Sequence, residues 1–269
     1  MRTMRKFFGF FAAVTLLAVG PASAITNGEL DGADHPHVGL IVFDVGGGPS
    51  HRCTGTLIHP QVMLTAGHCT DGISGGRVWF ESNDEAGIRD GGYPFGGPTA
   101  IEIIGWATHP LFDPNAFFLH DLGLVLLNAP VVLPEYGVLP DLNVLNQLAT
   151  RRGKQNQTFT AVGYGLQQIT SNPMFTVRLT SELVRYSATP RLVQINTPGF
   201  TGNFSILLSN NHSTGGTCFG DSGGPNFIGD TNVVAGVTSF GLNGNCAGTG
   251  GVYRVDTADD LLWLASFGL

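Results

Sequence analysis

The apolar residues of this chain fall in short runs separated by glycine, proline and small polar residues, the punctuation of strands and turns rather than of long helices. Residues 37–43 read as a strand, and two β-rich runs within residues 53–65 flank a turn at Pro60. A short strand is expected at 77–81, followed by a loop rich in Gly, Asp and Asn up to about Pro98. Residues 101–105 and 109–112 lead on to the run 122–127, which is continuously apolar, as expected of a buried strand. A proline-rich connection, 128–143, divides the pattern in two. Strands are then expected near 159–165, 179–186, 192–196, 233–241 and 251–255. The period changes only at the end. Thr257 as a cap, Asp259 and Asp260 in the first turn and apolar spacing through Leu264 predict a short closing helix.

The composition agrees with many turns around a packed core: 39 glycines, 15 prolines and 42% hydrophobic residues in 269, enough for one large all-β unit or two smaller domains. The first 24 residues read as a secretory signal, with Arg2, Arg5 and Lys6 at the start, an apolar run over 7–19, and Ala22-Ser23-Ala24 as a cleavage site. The apolar run is shorter than the roughly 20 residues of a spanning helix. The mature protein is therefore expected to be exported, extracellular or periplasmic, without stable membrane association. Loss of those three basic groups takes the formal charge from −7 to −10, which argues against nucleic acid or an anionic membrane as partner. The four cysteines suit an oxidising compartment; they allow three pairings, and no C-x-x-C spacing points to zinc.

The stretch with most chemistry in it is Gly220-Asp221-Ser222-Gly223-Gly224-Pro225, a serine between glycines that can bring its hydroxyl and backbone N–H groups to a substrate carbonyl. It also fits the Gly-x-Ser-x-Gly elbow, but there the histidine follows the serine, and the last histidine here is His212. Upstream lie Leu64-Thr65-Ala66-Gly67-His68-Cys69 and His120-Asp121-Leu122-Gly123. Taken singly, His68 would read as packing or metal, Asp121 as a turn or cap, and the serine as a turn residue. Together they stand in the order His, Asp, Ser. His35 and His37 have an H-x-H spacing without a third ligand and read as surface or packing residues, and His120 reads as a loop residue.

This order, with these flanks, resembles the chymotrypsin/trypsin family of secreted serine proteases over residues 25–269. The resemblance implies an all-β fold of two six-stranded antiparallel β-barrels with a short C-terminal helix. The first barrel, residues 25–143, would carry His68 and Asp121; the second, 144–269, Ser222, the oxyanion hole and the specificity pocket. It implies that His68 takes the proton of Ser222, that Asp121 orients His68, and that Ser239 supports Asp121. It further implies an oxyanion hole of the Gly220 and Ser222 N–H groups, and disulfides Cys53–Cys69 and Cys218–Cys246. Ile25 would pair through a freed N-terminal ammonium with Asp221. Relatives expose that terminus by cutting a propeptide after Arg or Lys, whereas here Ala24 directly precedes Ile25. Signal-peptide removal is therefore expected to activate the enzyme.

The position that is acidic in Arg/Lys-cleaving relatives is Gly216 here, beside Thr217, with Phe240, Gly241 and Gly251 in the pocket walls. A trypsin-like preference is not expected, and an open pocket for a large apolar side chain is. The acids Glu81, Asp84 and Glu85 lie in a region where some relatives hold calcium, but they read as a solvated loop. No cofactor and no metal are expected. The expected partners are protein or peptide substrates of a monomeric endopeptidase. The rival readings are a catalytically silent homologue serving as a binding module and a hydrolase of small esters.

Overall fold

In the computed structural model, residues 25–148, 156–170, 178–180 and 182–269 are described. The expected leader lies outside them, as does residue 181 of the strand expected at 179–186. Six strands close an antiparallel barrel in the spatial order Val38–Val45, Gly48–His59, Val62–Thr65, Gly123–Leu127, Ile101–Thr108, Gly75–Trp79. The first of these is apolar on both faces because both are covered. Ile41 and Phe43 enter the barrel core with Met63, Leu64 and Val125, while Leu40 and Val42 pack outward on Trp79, Ile88 and Tyr164.

The second half is an open half-barrel of eight strands: Glu29–Leu30, Tyr186–Ala188, Phe159–Gly163, Pro225–Ile228, Val234–Gly241, Gly248–Arg254, Gly202–Asn210, Leu192–Thr197. Its first strand comes from the N-terminal segment, where Glu29 and Leu30 pair with Ser187 and Tyr186. A small hairpin joins Gln168–Thr170 to Arg178–Thr180. The closing helix forms over Ala258–Ala265, with Thr257 at its N-cap. Among the described residues no helix is long and apolar enough to cross a membrane.

Several elements differ from the sequence expectation. The strand expected at 179–186 is divided, Arg178–Thr180 lying in the small hairpin and Tyr186–Ala188 in the second sheet. The strand expected at 77–81 runs two residues earlier, Gly75–Trp79, because Gly75 and Gly76 pair with Asp44 and Phe43. The expected loop after it contains a helix, Glu85–Asp90, for which Asp84 caps the Gly87 N–H and Glu85 pairs with Arg89 four residues on. Two of the three acids considered for calcium are thus engaged in that helix. Gly202–Asn210, which the sequence pattern did not suggest, is a nine-residue strand of the second sheet.

A buried ion pair ties these parts together. Arg185 Nε donates to Asp31 Oδ2 at 2.7 Å, and both side chains are essentially sealed from solvent, at 1% and 0% exposure. The same guanidinium donates to the carbonyls of Val38 (3.1 Å), Phe80 (3.2 Å) and Gly32 (2.8 Å) and to the Tyr164 hydroxyl (3.3 Å). It thus contacts the N-terminal segment, the closed barrel and the second sheet at once. His35 completes the group, with Nδ1 at 2.5 Å from Asp31 Oδ1 and its ring stacked on Phe227. His37 is buried, and burial pushes its imidazole down to about 4, so it is a neutral packing residue at neutral pH.

Candidate active site

His68 lies in the short helix Gly67–Thr70, just past the strand Val62–Thr65, and Asp121 precedes the strand Gly123–Leu127 that pairs with it. That pairing brings the two residues together across 53 positions of sequence. Asp121 is fully buried, and its Oδ1 accepts the His68 backbone N–H at 2.7 Å. The His68 ring stands with Nδ1 at 2.9 Å from Oδ2 and 3.1 Å from Oδ1. Ser239 donates its hydroxyl to Oδ2 at 2.6 Å. A carboxylate facing Nδ1 fixes the proton on that nitrogen, which leaves Nε2 with a free lone pair.

Ser222 and His68 line one cleft of about 320 Å³ with Phe117, Thr217, Phe219, Phe240 and Gly241. Among the described residues the Ser222 hydroxyl has no hydrogen-bond partner, so it is free to turn toward His68 or a substrate. The loop carrying it is held from the closed barrel: Thr54 N–H donates to Ser222 O at 2.8 Å, and Thr54 Oγ1 donates to Gly220 O at 2.9 Å. Within the loop the N–H groups of Asp221, Gly223 and Gly224 donate to backbone carbonyls. Those of Gly220 and Ser222 have no acceptor among the described residues, which makes them available to an incoming oxyanion. Gly220 has φ +96°, and a Cβ there would also stand 2.9 Å from the Arg52 guanidinium, so this turn needs glycine.

Asp221 is fully buried behind this loop, where Gly165 N–H (2.7 Å) and Cys218 N–H (2.8 Å) donate to its two oxygens. Burial pushes its carboxyl up to about 7, against the opposing pull of those N–H groups and the Arg52 charge. Gly163 and Gly165 make room for it: a Cβ on either would lie 2.1 Å or 2.5 Å from the carboxylate. Their place in Gly-Tyr-Gly was legible, but that they make space for Asp221 was not. Ile25 is fully buried with Ala161, Val184, Tyr186 and Ala188. Among the described residues nothing joins it to Asp221, and with residue 24 still attached its nitrogen is an amide rather than an ammonium.

Cys53 is bonded to Cys69, with Cα atoms 6.4 Å apart, and Cys218 to Cys246, 5.3 Å apart. Of the expected pocket residues, Thr217, Phe240 and Gly241 line this cleft, and Gly216 and Gly251 are not among its lining residues. The space a side chain at Gly216 would take is filled by Asn210, whose nearest carbon lies 2.4 Å from the ideal Cβ position. That carboxamide is held by Thr26 Oγ1 (2.6 Å) and by its own bond to Thr217 O (2.8 Å). The space at Gly251 is taken by the Phe240 ring, 2.2 Å from an ideal Cβ. Phe240 in turn meets Phe200 (5.6 Å between centroids) and Phe118 (6.1 Å), both missed in the sequence reading, so the cleft continues into an aromatic wall.

The model of the trypsin family, described as "Trypsin", matches residues 30–262. A brachyurin of Leptuca pugilator is 28% identical over 235 residues, covering 85% of this chain and 88% of the relative. A trypsin of Simulium vittatum is 24% identical over 273 residues, covering 91% and 98%. A solved structure titled HL collagenase superposes with a TM-score of 0.69 at 22% identity, over 91% of this chain and 99% of that one. One titled human heparin binding protein gives 0.63 at 20% identity, over 90% and 96%; at such identities these two bear on the fold alone. With a family match over nearly the whole chain and this fold, the chain belongs to the trypsin family of serine endopeptidases and has its chymotrypsin-like architecture.

Proposed function

We propose that the chain is an exported endopeptidase in which Ser222 is the nucleophile, His68 the general base and acid, and Asp121 the group that orients His68. The observation that carries this reading is the Asp121 carboxylate, buried and fixed by His68 and Ser239 at the wall of the cleft that holds Ser222. His68 Nε2 takes the Ser222 proton as Oγ attacks the substrate carbonyl. The Gly220 and Ser222 N–H groups receive the oxyanion. His68 then protonates the leaving amine, and water activated by the same nitrogen releases the acyl group. No cofactor enters these steps.

Removal of the leader makes the Ile25 nitrogen an ammonium, a cation for the buried Asp221 carboxylate, which forms no ion pair among the described residues. The pair orders the loop that carries Gly220 and Ser222, so export doubles as activation. None of the cleft-lining side chains is acidic, which supports a preference for uncharged residues before the cut bond.

The test is the intact mass of the secreted protein before and after a fluorophosphonate serine probe, with cleavage of a peptide library. The expected result is a chain beginning at Ile25, one adduct on Ser222, and cuts after uncharged apolar residues. The right mass without an adduct would overturn the catalytic reading, and an adduct on a chain with another N-terminus would overturn the activation mechanism alone.

A further inference from the structure

Beside Asp121, three potential ligands converge that the proposed reaction does not use. His109 follows the strand Ile101–Thr108, His120 directly precedes Asp121, and Asp259 lies in the first turn of the helix Ala258–Ala265. One ligand atom from each lies within 4.8 Å of the other two. We propose that His109, His120 and Asp259 bind a single Zn²⁺ ion, with water completing its coordination.

Two imidazoles and a carboxylate with an open position are a zinc donor set, whereas calcium and magnesium prefer oxygen throughout. Ligands on one tetrahedral zinc stand about 3.3 Å apart at zinc–ligand distances of about 2.0 Å. The cluster therefore closes by about 1.5 Å at most on the ion, and the His109 and His120 rings, stacked with 10° between their planes, turn out of that stack so that both nitrogens face it. His120 is in a loop, and the Asp259 side chain is 41% exposed.

The surroundings orient the donors. Thr257 Oγ1 donates to Asp259 Oδ1 at 2.6 Å, which turns Oδ2 toward His120 Nδ1 at 3.2 Å. That nitrogen is buried and makes no well-formed hydrogen bond. Trp263 packs edge-on to the His109 ring (5.1 Å), and Phe204 packs on that of His120 (4.7 Å). The Leu111 N–H points at His109 Nδ1 from 3.3 Å, so ligation through Nε2 moves the imidazole proton to Nδ1 and gives up that long contact. A cavity of about 280 Å³ lined by Asp259, Thr257, Phe204 and Arg254 opens on the carboxylate, one of the three donors. The other close group, Cys53, His68 and Cys69, has both sulfurs committed to a disulfide.

The site bears on the reaction through the backbone. His120 has φ +51°, and the Leu122 N–H donates to its carbonyl at 2.8 Å, a tight turn around Asp121. Zinc that draws His120 toward His109 and Asp259 shifts Asp121 and slows peptide cleavage; this consequence rests on the proposed function, while the binding does not. The test uses leader-free Ser222→Ala protein in equilibrium dialysis against Zn²⁺ at pH 7.5, with chelator competition. The expected result is one zinc per chain, bound at least tenfold more weakly by His120→Asn and by Asp259→Asn, and unchanged by His68→Ala. Melting temperatures without zinc report that each variant is folded. No stoichiometric zinc, zinc unaffected by the first two changes in folded protein, or zinc lost with His68 would each overturn the proposal.

Discussion

Replacing Arg185 by Met keeps an unbranched apolar stem and removes the guanidinium with its charge. In the native protein this strands a sealed carboxylate, Asp31, and takes the donor from three backbone carbonyls and the Tyr164 hydroxyl. Breaking a buried pair from one side costs about 3–5 kcal/mol, because the remaining charge has lost water as well as its partner. His35, still 2.5 Å from Asp31, keeps the loss from going higher. At about 2–4 °C per kcal/mol for a chain of this size, the melting temperature should fall by about 6–20 °C. Burial pushes the Asp31 carboxyl up, but His35 and Arg185 outweigh it and hold the group below its usual range. Its contribution is thus present above about pH 4, the ordinary value, and is lost as pH falls through the depressed native value. Thermal and urea unfolding at pH 7 in a Ser222→Ala background, which avoids self-digestion, measures the effect. Asp31→Leu combined with Arg185→Met should recover part of the loss, since no charge is then left buried. A single-variant loss below about 1 kcal/mol, with additive effects in the double variant, would refute the view that this pair fastens the N-terminal segment to both halves.

Ser239→Ala removes the hydroxyl that holds Asp121 Oδ2; hydrogen bonds to charged groups are worth about 1.5–3 kcal/mol, so kcat should fall at least about tenfold with KM nearly unchanged. Steady-state kinetics on a peptide substrate checks this. Asp221 gives a pH signature for leader removal. A carboxyl raised from 3.8 to about 7 binds more protons folded than unfolded between those values, so stability of the leader-bearing chain should fall as pH rises across that window, by up to about 4 kcal/mol. Urea titrations at pH 4.5 and 7.5 should show this slope in the leader-bearing Ser222→Ala chain and lose it both in the mature form and in Asp221→Asn. Gly251→Ala drives a methyl into the Phe240 ring, which has to leave its seat. Peptide kcat/KM should fall at least about tenfold while labelling by a small fluorophosphonate persists, as an active-site titration would report.

The catalytic candidates were legible because each sits in a short local motif whose neighbours serve its geometry: the glycines around Ser222, the apolar run after Asp121, the strand before His68. Strands of the closed barrel such as Val38–Val45 and Gly123–Leu127 were legible as apolar runs, whereas the closure into a barrel was implied by the family resemblance. What escaped depends on pairings distant in sequence. Asn210 fills the space at Gly216 only because the strand Gly202–Asn210 ends beside it, and that strand itself was hidden by its polar ends, with an apolar centre only from Ile206 to Leu208. Phe240 covers Gly251 because the two are register partners in neighbouring strands. Glycine in the sequence suggested empty space; in the structure it marks where another side chain arrives. The helix Glu85–Asp90 did have a signal, a capping Asp84 and an i,i+4 Glu85–Arg89 pair, which the surrounding glycines and acids obscured.

The two disulfides each close within one half of the chain, Cys53–Cys69 before the connection at 128–143 and Cys218–Cys246 after it. No covalent bridge therefore spans that connection except the polypeptide itself. One cut there would give two disulfide-closed pieces that part in denaturant without any reductant. In native buffer the Arg185 junction and the packed interface would hold the same pieces as one particle. The chain is in this sense already divided for reassembly. Two separately produced fragments, each with a single possible disulfide, could be mixed to regain a working cleft, and the halves could be exchanged independently.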